Sequence, residues 1–321
     1  MTESIIEVNG LKKYFPIKSG VFGQKKQYVK AVDGVDFIIK PGEVFGLVGE
    51  SGSGKSTVGH TILRLHEKTE GTVKFMGEDI FGVDKQKLRQ IRPKMQLVFQ
   101  DPYSSLNPRM RIGDAIGEAL MDHGLADKGD IRDIVSETLE KCGLSHHYID
   151  RYPHEFSGGQ RQRIVIARAM ALNPTFIVAD EPVAALDVSI QAQIINLFKD
   201  LQEQNGLSYL FISHDLSIVE HLCTKVGIMY LGNLVEVADR TELFTNPLHP
   251  YTKALLSAVP IPDPTIKKER IILKGEIPSS VHPPSGCKFR TRCPFATERC
   301  AQEVPALRNV GSGHQVACHY V

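Results

Sequence analysis

Gly49-Glu50-Ser51-Gly52-Ser53-Gly54-Lys55-Ser56-Thr57 is the stretch on which the reading of this chain turns. An apolar run over 43–48 precedes it, and a helical pattern through Val58, Ile62, Leu63 and Leu65 follows, so the glycine-rich segment joins a buried strand to a helix. Phosphates carry several charges and must be held by many donors at once. Glycines let consecutive backbone N–H groups turn toward one point, and a helix N-terminus adds roughly half a positive charge there. In such a loop Lys55 reaches the β- and γ-phosphates, and the Ser56 hydroxyl is placed to ligate Mg2+. The alternative, a chance Gly/Ser loop, is disfavoured by the strand before and the helix after.

Working outward, the chain alternates in a β-like way through Ile6, Val8 and Leu11, and again through Val35, Phe37 and Ile39. Between them, 16–30 carries Gly20, Gly23 and several lysines and reads as an exposed loop or hairpin without chemistry of its own. Downstream, the apolar run 95–99 ends at Gln100. From 101 to about 156 the pattern becomes helical, with Ile112, Ile116 and Leu120 in one stripe and Ile131, Val135 and Leu139 in another. This predicts a helical subdomain inserted into an α/β core. The core resumes with a helix over 159–172, strands over 176–179, 209–212 and 226–229, and a helix over 188–204. After about 237 prolines multiply, at Pro247, Pro250, Pro260, Pro262, Pro264, Pro278, Pro283 and Pro284. A separate extension is expected there, partly extended and wrapped on the core.

A phosphate loop alone hydrolyses nothing; it needs a carboxylate near the metal and a group that orients water. Phe176-Ile177-Val178-Ala179-Asp180-Glu181 delivers two adjacent carboxylates at the end of an apolar strand. Asp180 is the candidate Mg2+ holder and Glu181 the candidate general base. A lone Asp-Glu pair would be read as a solvated strand end, but not beside a phosphate loop. Phe156-Ser157-Gly158-Gly159-Gln160 places a second glycine pair at the start of a helix, either a second anion-binding N-terminus or a flexible turn.

The order of these segments, with Gln100, Ala185-Leu186-Asp187 and His214, resembles the ATP-binding-cassette (ABC) ATPases over residues 1 to about 235. The resemblance implies an α/β P-loop NTPase core of ABC type, with an antiparallel β subdomain and an inserted helical subdomain. It also implies a head-to-tail dimer of cassettes with ATP between one phosphate loop and the partner's signature segment. By the same likeness Gln100 contacts Mg2+ and the attacking water, while Ser157, Gly158, Gly159 and Gln160 form the signature, with Ser157 and Gly159 on the γ-phosphate. Asp187 links the two sites, His214 holds the γ-phosphate, and Tyr14 stacks on adenine. Taken alone, His214 reads as a structural histidine, Gln100 as a polar strand end and Tyr14 as ordinary packing. Two departures are visible: Phe156 stands where Leu is usual, and Val183 and Ala184 where Thr and Ser are common.

Cys287, Cys293, Cys300 and Cys318 follow a C-x5-C-x6-C-x17-C spacing among turn-forming residues. Structural zinc prefers at least one tighter Cys pair, and the wider spacing suits a larger cluster. Asn246-Pro247-Leu248-His249-Pro250-Tyr251-Thr252 and the stretch 286–318 resemble the extension of peptide-type importer ATPases, where four cysteines are associated with a 4Fe-4S cluster. That likeness favours the cluster over Zn2+ or bare thiols. Cys142 and Cys223, in helical and partly apolar surroundings, are expected in the core. His282, His314 and His319 are not needed as ligands beside four cysteines.

The bulk properties agree. With 321 residues there is room for one large core plus a smaller appended domain, and 42% hydrophobic with 23% charged residues is ordinary for a globular protein. Thirty-eight Lys and Arg against 37 Asp and Glu leave a net charge of +1, which disfavours nucleic acid as a partner. The opening MTESIIEVNG lacks a secretory pattern, and no run of 18 apolar residues predicts a bilayer span. The domains expected are 1–235, the nucleotide-binding cassette with its helical subdomain at about 101–156, and 236–321, the cysteine-bearing extension. The resemblance implies an ATP-hydrolysing subunit of a dipeptide or oligopeptide importer, peripheral on the cytoplasmic face of the membrane. Its expected partners are a second cassette, a paralogue rather than a copy, two transmembrane permease subunits and, indirectly, an extracytoplasmic binding protein. Nickel or another small solute is the alternative cargo. A soluble non-transport ABC ATPase is a weaker alternative, since paired cassettes and a coiled-coil insertion are missing. A redox-sensing module would leave Glu181 and His214 unexplained.

Overall fold

The structure, a computed structural model, describes residues 4–19, 25–260 and 269–321. The chain forms two compact units: one built from Phe75–Ile212 with Ile39–Glu43 and the N-terminal residues, the other from Ile6–Ile38, Val44–Lys74 and Ser213–Val321.

In the second unit the strand Val44–Val48 is buried along its whole length and pairs in parallel with Lys225–Tyr230, from Phe45 opposite Lys225 to Val48 opposite Ile228. Such runs carry no alternation because both faces are covered. Asn233–Asp239 continues the sheet antiparallel to Lys225–Tyr230, followed by His314–Val316 and Arg308–Gly311. The extension is therefore less extended than its prolines suggest. Among the described residues it contributes two strands to the sheet and three helices, Arg240–Thr245, Pro250–Ser257 and Glu298–Gln302. Proline is well placed at the first position of Pro250–Ser257, where its missing N–H would be unpaired anyway. Pro262 and Pro264 lie outside the described residues.

A further sheet in this unit has the order Lys25–Ile39, Ile6–Ser19, Glu70–Phe75. Strand runs to Ser19 and resumes at Lys25 in the neighbouring strand, in agreement with the hairpin of the two readings expected over 16–30 and not with the loop; residues 20–24 lie outside the described residues. A strand with one wet face accommodates polar and cationic residues without losing its ladder.

The first unit carries three parallel strands, Met95–Val98, Phe176–Asp180 and Ser208–Ser213, with Val98 opposite Ala179 and Asp180 opposite Ile212. Between the first two, the chain is helical: Pro102–Ser105, Ile112–Asp122, Ile131–Lys141 and two short 3-10 turns. The expected apolar stripes form their core, with Ile116, Leu120, Val135 and Leu139 at most 2% exposed. Each such side chain contributes about 1.5–3 kcal/mol on burial. Gly117 is what lets the two longer helices approach, because a Cβ there would stand 2.6 Å from Ile131 Cγ2. Helices Lys85–Ile91, Gly158–Met170 and Val188–Asn205 belong to the same unit.

Candidate active site

The phosphate loop leaves the strand Val44–Val48 and enters the helix Lys55–Ile62, as its flanking pattern predicts. Gly54 caps the helix in the left-handed region at φ 105°, and Gly52 sits at φ 78°. Two glycines are required for space as well. A Cβ on Gly49 would lie 2.2 Å from the Met229 carbonyl oxygen, and one on Gly54 2.0 Å from that of Ala31. Lys55 is 4% exposed, and its Nζ donates to the carbonyls of Gly49 at 2.8 Å and Glu50 at 3.2 Å. The ammonium is thus held against two carbonyls of a loop that opens a helix, a place suited to an anion's charge. Ser51, Ser53, Ser56 and Thr57 lie in the same loop and first helical turn, and Ser53 is 5% exposed.

Glu50 is anchored at both ends. Its backbone N–H donates to the Tyr251 hydroxyl at 3.0 Å, and its carboxylate takes two bonds from Arg292, Nη1 to Oε2 at 2.7 Å and Nη2 to Oε1 at 3.1 Å. Sequence reasoning missed this pair. The only available signal was an acidic residue in a loop built for anions, which calls for a cation from somewhere else.

In the other unit the strand Phe176–Asp180 delivers Asp180, 7% exposed, at its end. Glu181 follows in the left-handed region at φ 46°, a conformation that costs a non-glycine residue roughly 1–2 kcal/mol. Its N–H donates to the Ile212 carbonyl at 3.0 Å and its own carbonyl accepts from Ala184 at 3.2 Å, so the backbone is held where it turns. Gln100 is exposed, and its Nε2 donates to Glu181 Oε2 at 3.2 Å. Two residues 81 apart in sequence are thereby brought together at the ends of neighbouring parallel strands.

Ser157 caps the helix Gly158–Met170 in a capping box: its Oγ accepts from Gln160 N at 3.4 Å, and Gln160 Oε1 accepts from Ser157 N at 3.1 Å. The motif is thus a defined helix start and no flexible turn. Gly158 is followed by Gly159, where a Cβ would stand 2.5 Å from Ile190 Cγ2, so glycine is needed for this helix to approach Val188–Asn205. Asp187, at the cap position of the latter helix, is exposed, as Ser157 is.

In the phosphate-loop unit, His214 is exposed at the turn between the strand Ser208–Ser213 and the helix Leu216–Leu222. Tyr14 is half-buried in Ile6–Ser19, and its hydroxyl donates to Asp33 Oδ1. Lys288 Nζ donates to Asp33 Oδ2 at 2.8 Å. Burial alone would push the Asp33 carboxyl up, but the hydrogen bonds from Lys288 and Tyr14 outweigh it and hold the group below the usual carboxylate range.

Cys142 and Cys223 are buried, as expected, and burial pushes the Cys142 thiol up to about 12. Cys287 is pushed up to about 11, chiefly by burial and further by the charges of Cys300, Cys293 and Cys318. Among the described residues no three His, Cys, Asp or Glu side chains converge as a metal site. The arrangement therefore lends no support to the expected iron–sulfur or zinc centre, although the four thiols are near enough for the charges of Cys300, Cys293 and Cys318 to act on Cys287. His314 is occupied structurally: its Nε2 lies 2.7 Å from the buried Glu236.

Residues 32–184 match the family model described as ABC transporter, and 235–300 match that of the oligopeptide/dipeptide transporter, C-terminal region. The oligopeptide transport ATP-binding protein AppF of Bacillus subtilis (strain 168) is 53% identical over 320 residues, covering 99% of this chain and 97% of AppF. Among solved structures, the dimeric ATP-binding cassette MJ0796 in a post-hydrolysis state bound to ADP and Pi is 29% identical with a TM-score of 0.64, covering 73% of this chain and 98% of that one. A second dimeric structure of MJ0796, described as a bacterial ABC transporter cassette, is 30% identical with the same TM-score and coverage. Motif order, fold and full-length similarity converge, and the chain belongs to the ATP-binding-cassette transporter family as an ATP-hydrolysing, ATP-binding protein.

Proposed function

We propose that this chain energises a membrane importer for dipeptides or oligopeptides, bound peripherally to permease subunits on the cytoplasmic face. The observation that carries this reading is the similarity to AppF over essentially the whole length, including the region 235–300 that matches the peptide-transporter C-terminal model. Among the described residues no helix is long and apolar enough to cross a membrane, so spanning falls to partner subunits. The cassette is taken as 1–235, with its helical subdomain near 101–156, and the extension as 236–321.

The roles follow from chemistry. Loop amides of 49–57 and Lys55 bind the phosphates, and Tyr14 packs on adenine with its hydroxyl tethered by Asp33. Ser56, Gln100 and Asp180 are the oxygen donors that would hold Mg2+, a hard cation that takes one or two protein oxygens beside substrate phosphates. When bound, Mg2+ supplies neutralisation of phosphate charge. Glu181 takes the proton of the attacking water, with Gln100 orienting its carboxylate. His214 contacts the γ-phosphate. Ser157, Gly158, Gly159 and Gln160 serve the γ-phosphate held by a second cassette, and Asp187 joins the two sites. The exposure of Ser157 and Asp187 at the cap positions of two helices supports this, as does the dimeric state of MJ0796.

For the extension, four soft thiols within electrostatic range of one another suit iron–sulfur chemistry as a donor set. Chain purified without oxygen should contain about four iron and four sulfide per molecule if this holds; stoichiometric zinc or bare thiols would end it. The transport reading is tested by co-reconstituting the chain with its permease and cassette partners in liposomes. ATP-dependent uptake of labelled oligopeptides is expected, and its persistence in Lys55→Ala, or its absence for peptides, would overturn the reading.

A further inference from the structure

The six-residue reach from Cys287 to Arg292 inserts three side chains into the unit that carries the phosphate loop. Phe289, 1% exposed, is the anchor: its ring lies 5.2 Å from that of Tyr230, 5.4 Å from Tyr251 and 5.5 Å from His249. With that ring seated, the neighbouring cations reach defined targets. Lys288 goes to Asp33 and to the Leu231 carbonyl at 2.9 Å. Arg292, its side chain 8% exposed, makes the two-bonded pair with Glu50.

Glu50 is an odd residue for its place. The loop gathers N–H groups and Lys55 to meet a polyanion, yet its second position carries a carboxylate. An unpaired negative charge there opposes every phosphate that enters, more strongly the more charged the nucleotide. A planar guanidinium bonded at both oxygens cancels that charge and fixes the carboxylate's direction, which a lysine does less well. Tyr251 holds the Glu50 N–H and Lys55 its carbonyl, so the residue is constrained along backbone and side chain together.

We propose that Arg292, supplied by the cysteine-bearing extension, is a positioning residue for nucleotide: it neutralises Glu50 and pins the mouth of the phosphate loop, so that the extension sets this cassette's own affinity for ATP. The inference rests on the reading of 49–57 as the ATP phosphate loop. It gives the extension a task in the nucleotide site that does not depend on what its cysteines hold.

The test uses the full-length chain and equilibrium binding of ATP, ADP and AMP. Arg292→Gln should weaken ATP binding roughly tenfold, with a smaller loss for ADP and least for AMP, and the loss should shrink in 0.5 M salt as the exposed charge is screened. In turnover the defect should fall chiefly on KM. In a Glu50→Gln background the same Arg292→Gln change should cost less than about twofold, because no carboxylate remains to be neutralised. Arg292→Lys should recover part of the affinity, and it carries the same salt and nucleotide comparison should Arg292→Gln fail to fold. Equal losses for all three nucleotides, or an unchanged loss in the Glu50→Gln background, would reduce Arg292 to a structural clamp and overturn the proposal. So would wild-type ATP affinity in Arg292→Gln while Lys55→Ala abolishes binding. If Lys55→Ala itself binds ATP normally, the phosphate-loop reading fails instead.

Discussion

Gly49→Ala separates a steric requirement from a conformational one within a single loop. The added Cβ would stand 2.2 Å from the Met229 carbonyl oxygen and 2.9 Å from Ser53 Oγ. The serine hydroxyl can rotate away, but Met229 belongs to a strand paired on both sides, with Val48 opposite Ile228 and Leu234 opposite Met229. Reaching even 3.0 Å from that oxygen demands a displacement of about 0.8 Å. Overpacking of this kind costs about 1–3 kcal/mol in stability. A shift near 1 Å in a binding constellation costs about 10²-fold. A thermal melt should therefore fall by several degrees, and calorimetric ATP affinity by about one to two orders of magnitude. Gly52→Ala is the control: φ there is 78°, but nothing lies within 4 Å of the added Cβ. It should pay only the left-handed backbone cost of about 1–2 kcal/mol, with the smaller loss of affinity. Wild-type ATP affinity in Gly49→Ala, or a larger loss in Gly52→Ala, would refute this account of the loop.

Three further outcomes are expected. Glu181→Gln keeps both backbone bonds at the turn and an oxygen for Gln100, so it should fold and bind ATP while single-turnover hydrolysis falls by about 10²–10⁴-fold; retained hydrolysis would remove Glu181 from the base role. Glu236 is fully buried and accepts from Leu248 N at 2.7 Å and His249 N at 3.0 Å beside His314. Glu236→Ala orphans all three and should cost about 3–5 kcal/mol in urea unfolding; a loss under about 1 kcal/mol would contradict it. Burial pushes His249 down to about 3 from its ordinary 6.5, and its Nδ1 accepts from Tyr251 N at 3.1 Å. The unfolded chain then binds the extra proton below pH 6.5, so stability is full above that pH and declines as pH falls toward 3, by up to about 1.4 kcal/mol per unit. His249→Asn keeps a side-chain acceptor and should flatten urea-unfolding stability between pH 6.5 and 5; an unchanged slope would exclude His249 as its source.

Most of the architecture was legible because local pattern and tertiary role agree. The buried strands Val44–Val48, Phe176–Asp180 and Ser208–Ser213 lie within a residue of the runs read from sequence, since a parallel strand covered on both faces is apolar along its middle, with the polar Asp180, Ser208 and Ser213 only at the ends. Within 16–30 only the choice between loop and hairpin was not legible, because a strand with one wet face tolerates lysines and looks like a loop. Nor were the two strands contributed by the extension: His314–Val316 joins the sheet through a partner some 80 residues earlier in the chain, and Arg308–Gly311 is added to it in turn.

What the sequence determined by itself was the phosphate loop as a chemical device: Gly49, Gly54 and Lys55 are dictated by backbone geometry and charge that repeat wherever a polyanion must be held. What only the tertiary structure decided was how that loop is finished. Arg292 stands 242 residues from Glu50, and no spacing rule connects them. Their pairing exists because Phe289 is buried among aromatic rings, and that burial carries the cation to the loop. Local sequence specifies groups that act through neighbouring backbone, whereas a long-range ion pair is set by the packing that brings its two ends together.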